Sequence, residues 1–147
     1  MRDLLLRFSG LILLATVIVG CGEPPPSTDE LVKANLTQIG KAYLMVLSYN
    51  RKPPKDMEEL RAAVNDLHRL EMGVPPEEAL VSPRDNQPIV IIMGANDNDG
   101  ASSILAYEKN GADGTRWVVT MGGEAKKLPN EEFSKATFAK GHKPEAS

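Results

Sequence analysis

Cysteine is almost missing from this 147-residue chain: there is one, Cys21. A single thiol closes no intrachain disulfide, so stability must come from packing. It also cannot supply the Cys and His sets of structural zinc sites. The two histidines, His68 and His142, have no partner at ligand spacing. Nucleophilic catalysis needs a nucleophile, a base and an orienting group within reach, and no signature of that kind surrounds either histidine. Basic clusters are missing as well, the densest being Lys126-Lys127. Nucleic acid is recognised through a concentrated cationic face, so none is expected as a partner. No apolar run reaches the roughly 20 residues of a membrane-spanning helix. The acidic pairs Glu58-Glu59, Glu77-Glu78 and Glu131-Glu132 are adjacent residues, which do not face each other on a helix. Two of them fall near predicted helix starts, where negative charge suits the dipole. Gly122-Gly123 is not followed by Gly-Lys-Ser/Thr, so it is no phosphate loop. These absences point away from an enzyme.

What is present begins at the N-terminus. Arg2 and Arg7 flank a short basic start, Phe8 to Val19 is apolar, and Gly20 precedes Cys21. That is the layout of a secretory signal peptide. The four residues Ile18-Val19-Gly20-Cys21 resemble the lipobox of bacterial lipoproteins. The resemblance implies a diacylglyceryl group on the Cys21 sulfur, cleavage after Gly20 and acylation of the new N-terminus, with palmitate as the acyl class. A plain secreted protein or a short membrane anchor is the competing reading. Secretion without lipid would leave a lone thiol in an oxidising compartment, where unpaired cysteines are uncommon. Buried acyl chains contribute about 0.8 kcal/mol per methylene, so several on one cysteine hold firmly. Loss of residues 1–20 would take the net charge from −3 to −4. Gly22 is not aspartate, which by resemblance to lipoprotein sorting favours the outer membrane.

The expected organisation is a signal peptide over 1–20, a lipidated cysteine with a Pro-rich spacer over 21–27, a domain over 28–139 and a flexible polar tail over 140–147. Pro24-Pro25-Pro26 suggests a stiff extended spacer. Ser27 and Glu30 form a capping box. Val32, Leu36, Ile39, Tyr43 and Val46 then recur at helical steps, predicting a helix over 28–50 with Lys33, Asn35, Gln38 and Lys41 mostly off its buried face. Tyr49 is expected at the rim. Pro53-Pro54 ends the helix. Asp56 and Glu59 read as a second capping box, and Met57, Leu60, Val64 and Leu67 as the apolar face of a second helix. Gly73 and Pro75-Pro76 close that region, and residues 82–86 read as a turn. Strands follow at 89–93, 104–107 and 117–121, with Gly122-Gly123 suited to a tight hairpin and a short fourth strand over 125–128. A last helix over 130–138 should turn Phe133 inward, and Trp117 should lie in the core. Helices gathered before a strand meander predict an α+β fold, with the long N-terminal helix on a three- to four-stranded antiparallel sheet.

Three stretches carry a family resemblance. Asn35 to Tyr43, followed by Tyr49 and Pro53-Pro54, is similar to an amphipathic helix running into a proline-marked bend, with Asp56 to Leu60 as a short capped helix. Residues 82–90, from Ser82 to Val90, resemble an Asp-Pro-Trp-Gly-Asn-Pro-Tyr segment leading into the first strand. Tyr107, Gly111, Asp113-Gly114 and Trp117-Val118-Val119 resemble a closing hairpin. Together they resemble the globular domain of type IV pilin-like proteins, closest to the G-type major pseudopilin of type II secretion. The chain lacks that family's prepilin cleavage site and polymerising apolar helix, and Arg84-Asp85 stand in place of its Trp-Gly.

The resemblance also implies a calcium site in a strand-connecting loop. Asn96-Asp97-Asn98-Asp99-Gly100 offers Asp97 and Asp99 at alternate positions before a glycine, oxygen ligands of the kind calcium takes. Asp113 is a third candidate if its turn lies nearby. An EF-hand reading fails because Ala106 stands where the bidentate acid belongs. A plain solvated loop is the other reading, since Asn, Asp and Gly are ordinary turn residues. The expected function is that of a non-enzymatic lipid-anchored envelope protein with a structural or protein-interaction role, secretion-related by the resemblance. It would partner the membrane through its anchor and another envelope protein through its domain. An envelope hydrolase or a ligand-binding lipoprotein is the alternative.

Overall fold

The computed structural model describes residues 25–70 and 72–144. The predicted signal peptide, the expected lipidation site Cys21, the start of the proline spacer and the last three residues of the tail lie outside the described residues.

Helix α1 spans Thr28–Asn50. Its start is the expected capping box: Ser27 Oγ accepts from the Glu30 N–H at 3.3 Å, and Glu30 Oε2 accepts from the Ser27 N–H at 2.7 Å. Two otherwise orphaned donors are thereby satisfied. Arg51 stops the helix in a left-handed conformation, φ 56°, just before Pro53-Pro54. Helix α2 spans Met57–Arg69. Asp56 caps it by accepting from the Glu59 N–H at 2.9 Å. The return half of the box is not formed, because Glu59 accepts instead from Lys55 N and Asn50 Nδ2. That contact sets the end of α1 level with Glu59, so Met57 overhangs the helix pair and is 42% exposed rather than part of the apolar face. Leu60, Ala63, Val64 and Leu67 are the buried positions. A short helix, α3 at Pro76–Ala79, lies where only a break was expected. Proline at its first position suits a helix start.

The sheet is an antiparallel meander in the order β1 (Val90–Ile91), β2 (Ile104–Tyr107), β3 (Thr115–Thr120) and β4 (Ala125–Pro129). β1 is much shorter than the run over 89–93. Ile89 N donates to Leu80 O, Val81 bridges Pro88, and the chain turns away at Gly94, φ 82°. Beyond β1, the neighbouring position on β2 is taken by the C-terminal segment: Ile104 N donates to Thr137 O, and Ile104 bridges Phe138 in parallel. Helix α4 ends early, at Asn130–Lys135, so Phe138 is buried from extended chain rather than from a helix. The predicted mobile tail is also anchored over its first residues. Lys140 N donates to Asp99 Oδ1 at 2.7 Å, and His142 Nε2 lies 2.9 Å from the Tyr107 hydroxyl.

Both sheet faces are covered. On one, Val32, Leu36 and Ile39 of α1 pack with Leu80, Ile89, Ala106 and Val119. The approach is close: a Cβ at Gly40 would lie 2.9 Å from Val119 Cγ2. On the other face Tyr107, Phe133 and Phe138 meet edge to face, with centroids 5.1–5.7 Å apart, and the Arg116 guanidinium stacks 4.6 Å from the Phe133 ring. The outer side of α1 carries α2, whose Leu60, Val64 and Leu67 join Tyr43, Val46 and Leu47. Tyr43 is fully buried and donates to Ala95 O at 3.0 Å. Burial pushes its pKa up to about 12. Tyr49, by contrast, is 85% exposed.

Asn35 and Gln38 are also buried, contrary to the periodicity. α1 is covered on two sides, so its polar stripe meets backbone rather than water. Asn35 Nδ2 donates to Glu78 O and Val81 O. Gln38 donates to Val74 O at 2.8 Å and accepts from Val74 N at 3.0 Å, clasping the loop after α2. Ile39→Ala should therefore destabilise the domain by about 2–5 kcal/mol, as for other large-to-small core changes. Gln38→Ala should cost about 1–3 kcal/mol, because it strands buried amide groups. Gly40→Ala should cost a similar amount through overpacking, about 1–3 kcal/mol. Urea unfolding of the three variants measures each directly, and a silent Gln38→Ala would show that the clasp is open in solution.

Candidate functional site

The densest polar constellation lies where α1 begins. The turn after α3 starts at Ser82 and is closed by Asn86 N donating to Ser82 O at 2.9 Å, with Asn86 at φ 54°. It aims Arg84 inward. The Arg84 side chain is 4% exposed and that of Glu108 is fully buried. Their ion pair measures 2.7 Å from Nη1 to Oε2. Glu108 directly follows β2 and also accepts from Ser82 Oγ at 2.6 Å and from Trp117 N at 2.8 Å. Arg84 Nη2 donates to Ala112 O and Thr115 Oγ1, and its Nε lies 3.2 Å from Asp29 Oδ1. A buried ion pair is tolerated only when its remaining donors and acceptors are met, and here they draw on four separate segments.

Asp29 links this core to the surface. Its carboxylate accepts from Lys127 Nζ at 2.6 Å and from Trp117 Nε1 at 3.3 Å. The Lys127 hydrogen bond, reinforced by Trp117 and by the charge of Arg84, holds the Asp29 carboxyl below the usual aspartate range. Asp85 works on the neighbouring turn, where Oδ2 accepts from Asn110 N and Gly111 N and Oδ1 accepts from Gln87 N. Gly111 is at φ 70°, and a Cβ there would lie 2.2 Å from Thr115 O, so only glycine fits. Arg84 and Asp85, consecutive in the turn after α3, are both built into this network.

A groove of about 380 Å³ opens over the cluster, walled by Ser27, Thr28, Asp29, Pro83, Asp113 and Lys127 among others. Of its charges, Asp29 pairs with both Arg84 and Lys127. Ser82 Oγ donates to a carboxylate, an arrangement that could suggest a nucleophile and base. The serine is fully buried, so no substrate reaches it. The geometry therefore ties α1 to the sheet and the turns rather than offering a group to react.

The residues expected to bind calcium are divided. Asp97 and Asp99 share a 3-10 turn, Asp97–Asp99, capped by Asn96. Asp99 Oδ2 accepts from Asn96 N at 2.8 Å and Oδ1 from Lys140 N. These backbone hydrogen bonds lower its pKa. Ser103 Oγ donates to the Asp99 carbonyl, closing the turn on itself. Asp113 sits in the β2–β3 turn, at the opposite end of β2, and does not join them. Among the described residues no group of three or more His, Cys, Asp or Glu could hold a metal ion. His68 Nδ1 lies 3.1 Å from Gly73 O, and His142 packs on Tyr107 and Phe138. Sequence reasoning missed Ser82, Arg84 and Glu108 as partners. The available signal was an acid placed directly after an apolar strand and a basic residue inside a turn.

Glu108→Ala should cost about 3–5 kcal/mol, since it leaves Arg84 buried without its closest counter-charge. Thermal melts of this variant against wild type measure the loss. Asp29 and Asp99 have folded pKa values below their unfolded ones, so their contribution is present above the unfolded value and lost as pH falls through the folded one. Stability should thus decline below about pH 4, where aspartates ordinarily titrate. Asp29→Asn should lower stability at neutral pH and flatten that acid limb, seen in melting temperature plotted against pH.

No helix among the described residues is long and apolar enough to cross a membrane. No protein-family model, curated protein or solved structure matches this chain.

Proposed function

We propose that this chain is a non-enzymatic lipoprotein of the bacterial cell envelope. It is held to the membrane by acyl groups on Cys21 and presents a pilin-like domain in a structural or protein-interaction role, with a secretion-related partner. The observation that carries the reading is Cys21 itself, the sole cysteine, placed after Ile18-Val19-Gly20 at the end of a short apolar run. Gly22 in the next position favours the outer membrane as the destination. The pilin-like part draws support from element order: a long capped helix, a proline-marked bend at 53–54, a short capped helix and an antiparallel meander. The position of residues 82–90, which run directly into β1, lends it further support. A non-enzymatic role draws support from the polar cluster at Arg84 and Glu108, whose groups are consumed by holding the fold.

Cells expressing the chain and its Cys21→Ser variant, fed an alkyne analogue of palmitate and then fractionated, test this. Wild type should incorporate label and sediment with the membranes. The variant should lose the label and remain as the longer, unprocessed form. A variant that matures to the same size and stays equally membrane-bound would overturn the lipoprotein reading.

A further inference from the structure

The position of α1 relative to the anchor decides which surface of the domain meets the bilayer. From Cys21 to Ser27 is six residues, which span at most about 20–22 Å when fully extended. Three of them are consecutive prolines, which favour extended and stiff chain. α1 starts at the next residue and runs for 23 residues, about 34 Å at 1.5 Å per residue. The far end of α1 thus lies about 34 Å from its start, a separation greater than the fully extended tether.

The near end is well defined by its hydrogen bonds. Asp29 in the first turn of α1 reaches Arg84 and Lys127. Asp85 holds Asn110 and Gly111, and Asn130 N donates to Gly114 O. The turn after α3, the β2–β3 turn and the end of β4 are thus gathered around the start of α1. The far end carries the end of α1, the start of α2 and the β3–β4 turn, where Gly123 faces Leu44. It presents the most exposed aromatic side chain, Tyr49, together with Met57. The first turn of α1 is bonded to three other segments, so peeling it away to lengthen the tether would break the Asp29 contacts to Arg84, Lys127 and Trp117.

We infer that the near end, formed by the residue 82–86 turn, the β2–β3 turn and the end of β4, faces the lipid surface, while the end bearing Tyr49 projects away from it. This rests on the anchoring proposed above. Within the near end, Asp29 pairs with Lys127 and Arg84 with Glu108. The interaction surface left open to an envelope partner is the far end.

The chain's single cysteine allows a direct test, because acylation blocks its sulfur and any introduced thiol is then unique. Lys109→Cys marks the near end and Tyr49→Cys the far end; both positions are exposed. The full-length acylated chains, extracted from cell membranes, are labelled with a fluorescent maleimide. They are then reconstituted into phosphatidylethanolamine–phosphatidylglycerol vesicles carrying a headgroup-linked acceptor dye. Energy transfer should be several-fold stronger from position 109 than from position 49. Equal transfer from chains that float with the vesicles would overturn the orientation and leave the anchor standing. Chains that fail to float would overturn the anchor and the orientation with it.

Discussion

The contact on which this domain depends is the buried pair of Arg84 and Glu108. Moving both charges out of water costs several kcal/mol each, and their mutual attraction offsets this only when the remaining hydrogen-bonding capacity is met. Here Ser82, Trp117, Ala112, Thr115 and Asp29 meet it. The pair therefore demands that α1, the turn after α3, the β2–β3 turn and β3 assemble together. Hydrophobic burial drives collapse without direction. This network supplies direction, because each partner must stand within hydrogen-bond reach of a fixed guanidinium plane.

Around that knot the rest of the fold is arranged in layers. α1 lies between α2 with α3 on its outer side and the sheet on its inner side. Its close approach to β3 at Gly40 leaves no room for a side chain there. The sheet's second face would be left open by an α1-only cover. Phe133 from α4 and Phe138 from the following extended chain close it, stacking with Tyr107. The C-terminal segment thereby also occupies the place beside Ile104 that the short β1 does not reach. Both ends of the described chain are thus locked to the sheet, one by charge and the other by aromatic packing.

The Asx- and carboxylate-rich places that look chemically active in the sequence are engaged in holding turns. Asp99 caps the turn at Asn96 and fastens Lys140, Asp85 holds the β2–β3 turn, and Asp56 caps α2. The polar groups of these turns are spent on internal bonds, while Tyr49 is left exposed at the end of the longest helix.

Much of the local structure was legible in the sequence because it is decided by neighbours in the chain. The capping box at Ser27, the spacing of Val32, Leu36, Ile39 and Tyr43, the proline stop at 53–54 and the glycine hairpin at 122–123 each act over a few residues. The same applies to the α+β order. Other features were decided only by tertiary structure. Asn35 and Gln38 read as surface because periodicity reports polarity, yet α1 is covered twice and their amides find backbone partners. Met57 reads as core, but α1 stops level with Glu59 and leaves it uncovered. Asp113 could be weighed as a ligand beside Asp97 and Asp99 until the strand between them placed it at the other end of the sheet. Arg84 and Glu108 stand 24 residues apart in the chain. Periodicity and capping act over a few residues, so no local rule pairs two charges at that separation; only the packing of the turn against the end of β2 brings them together.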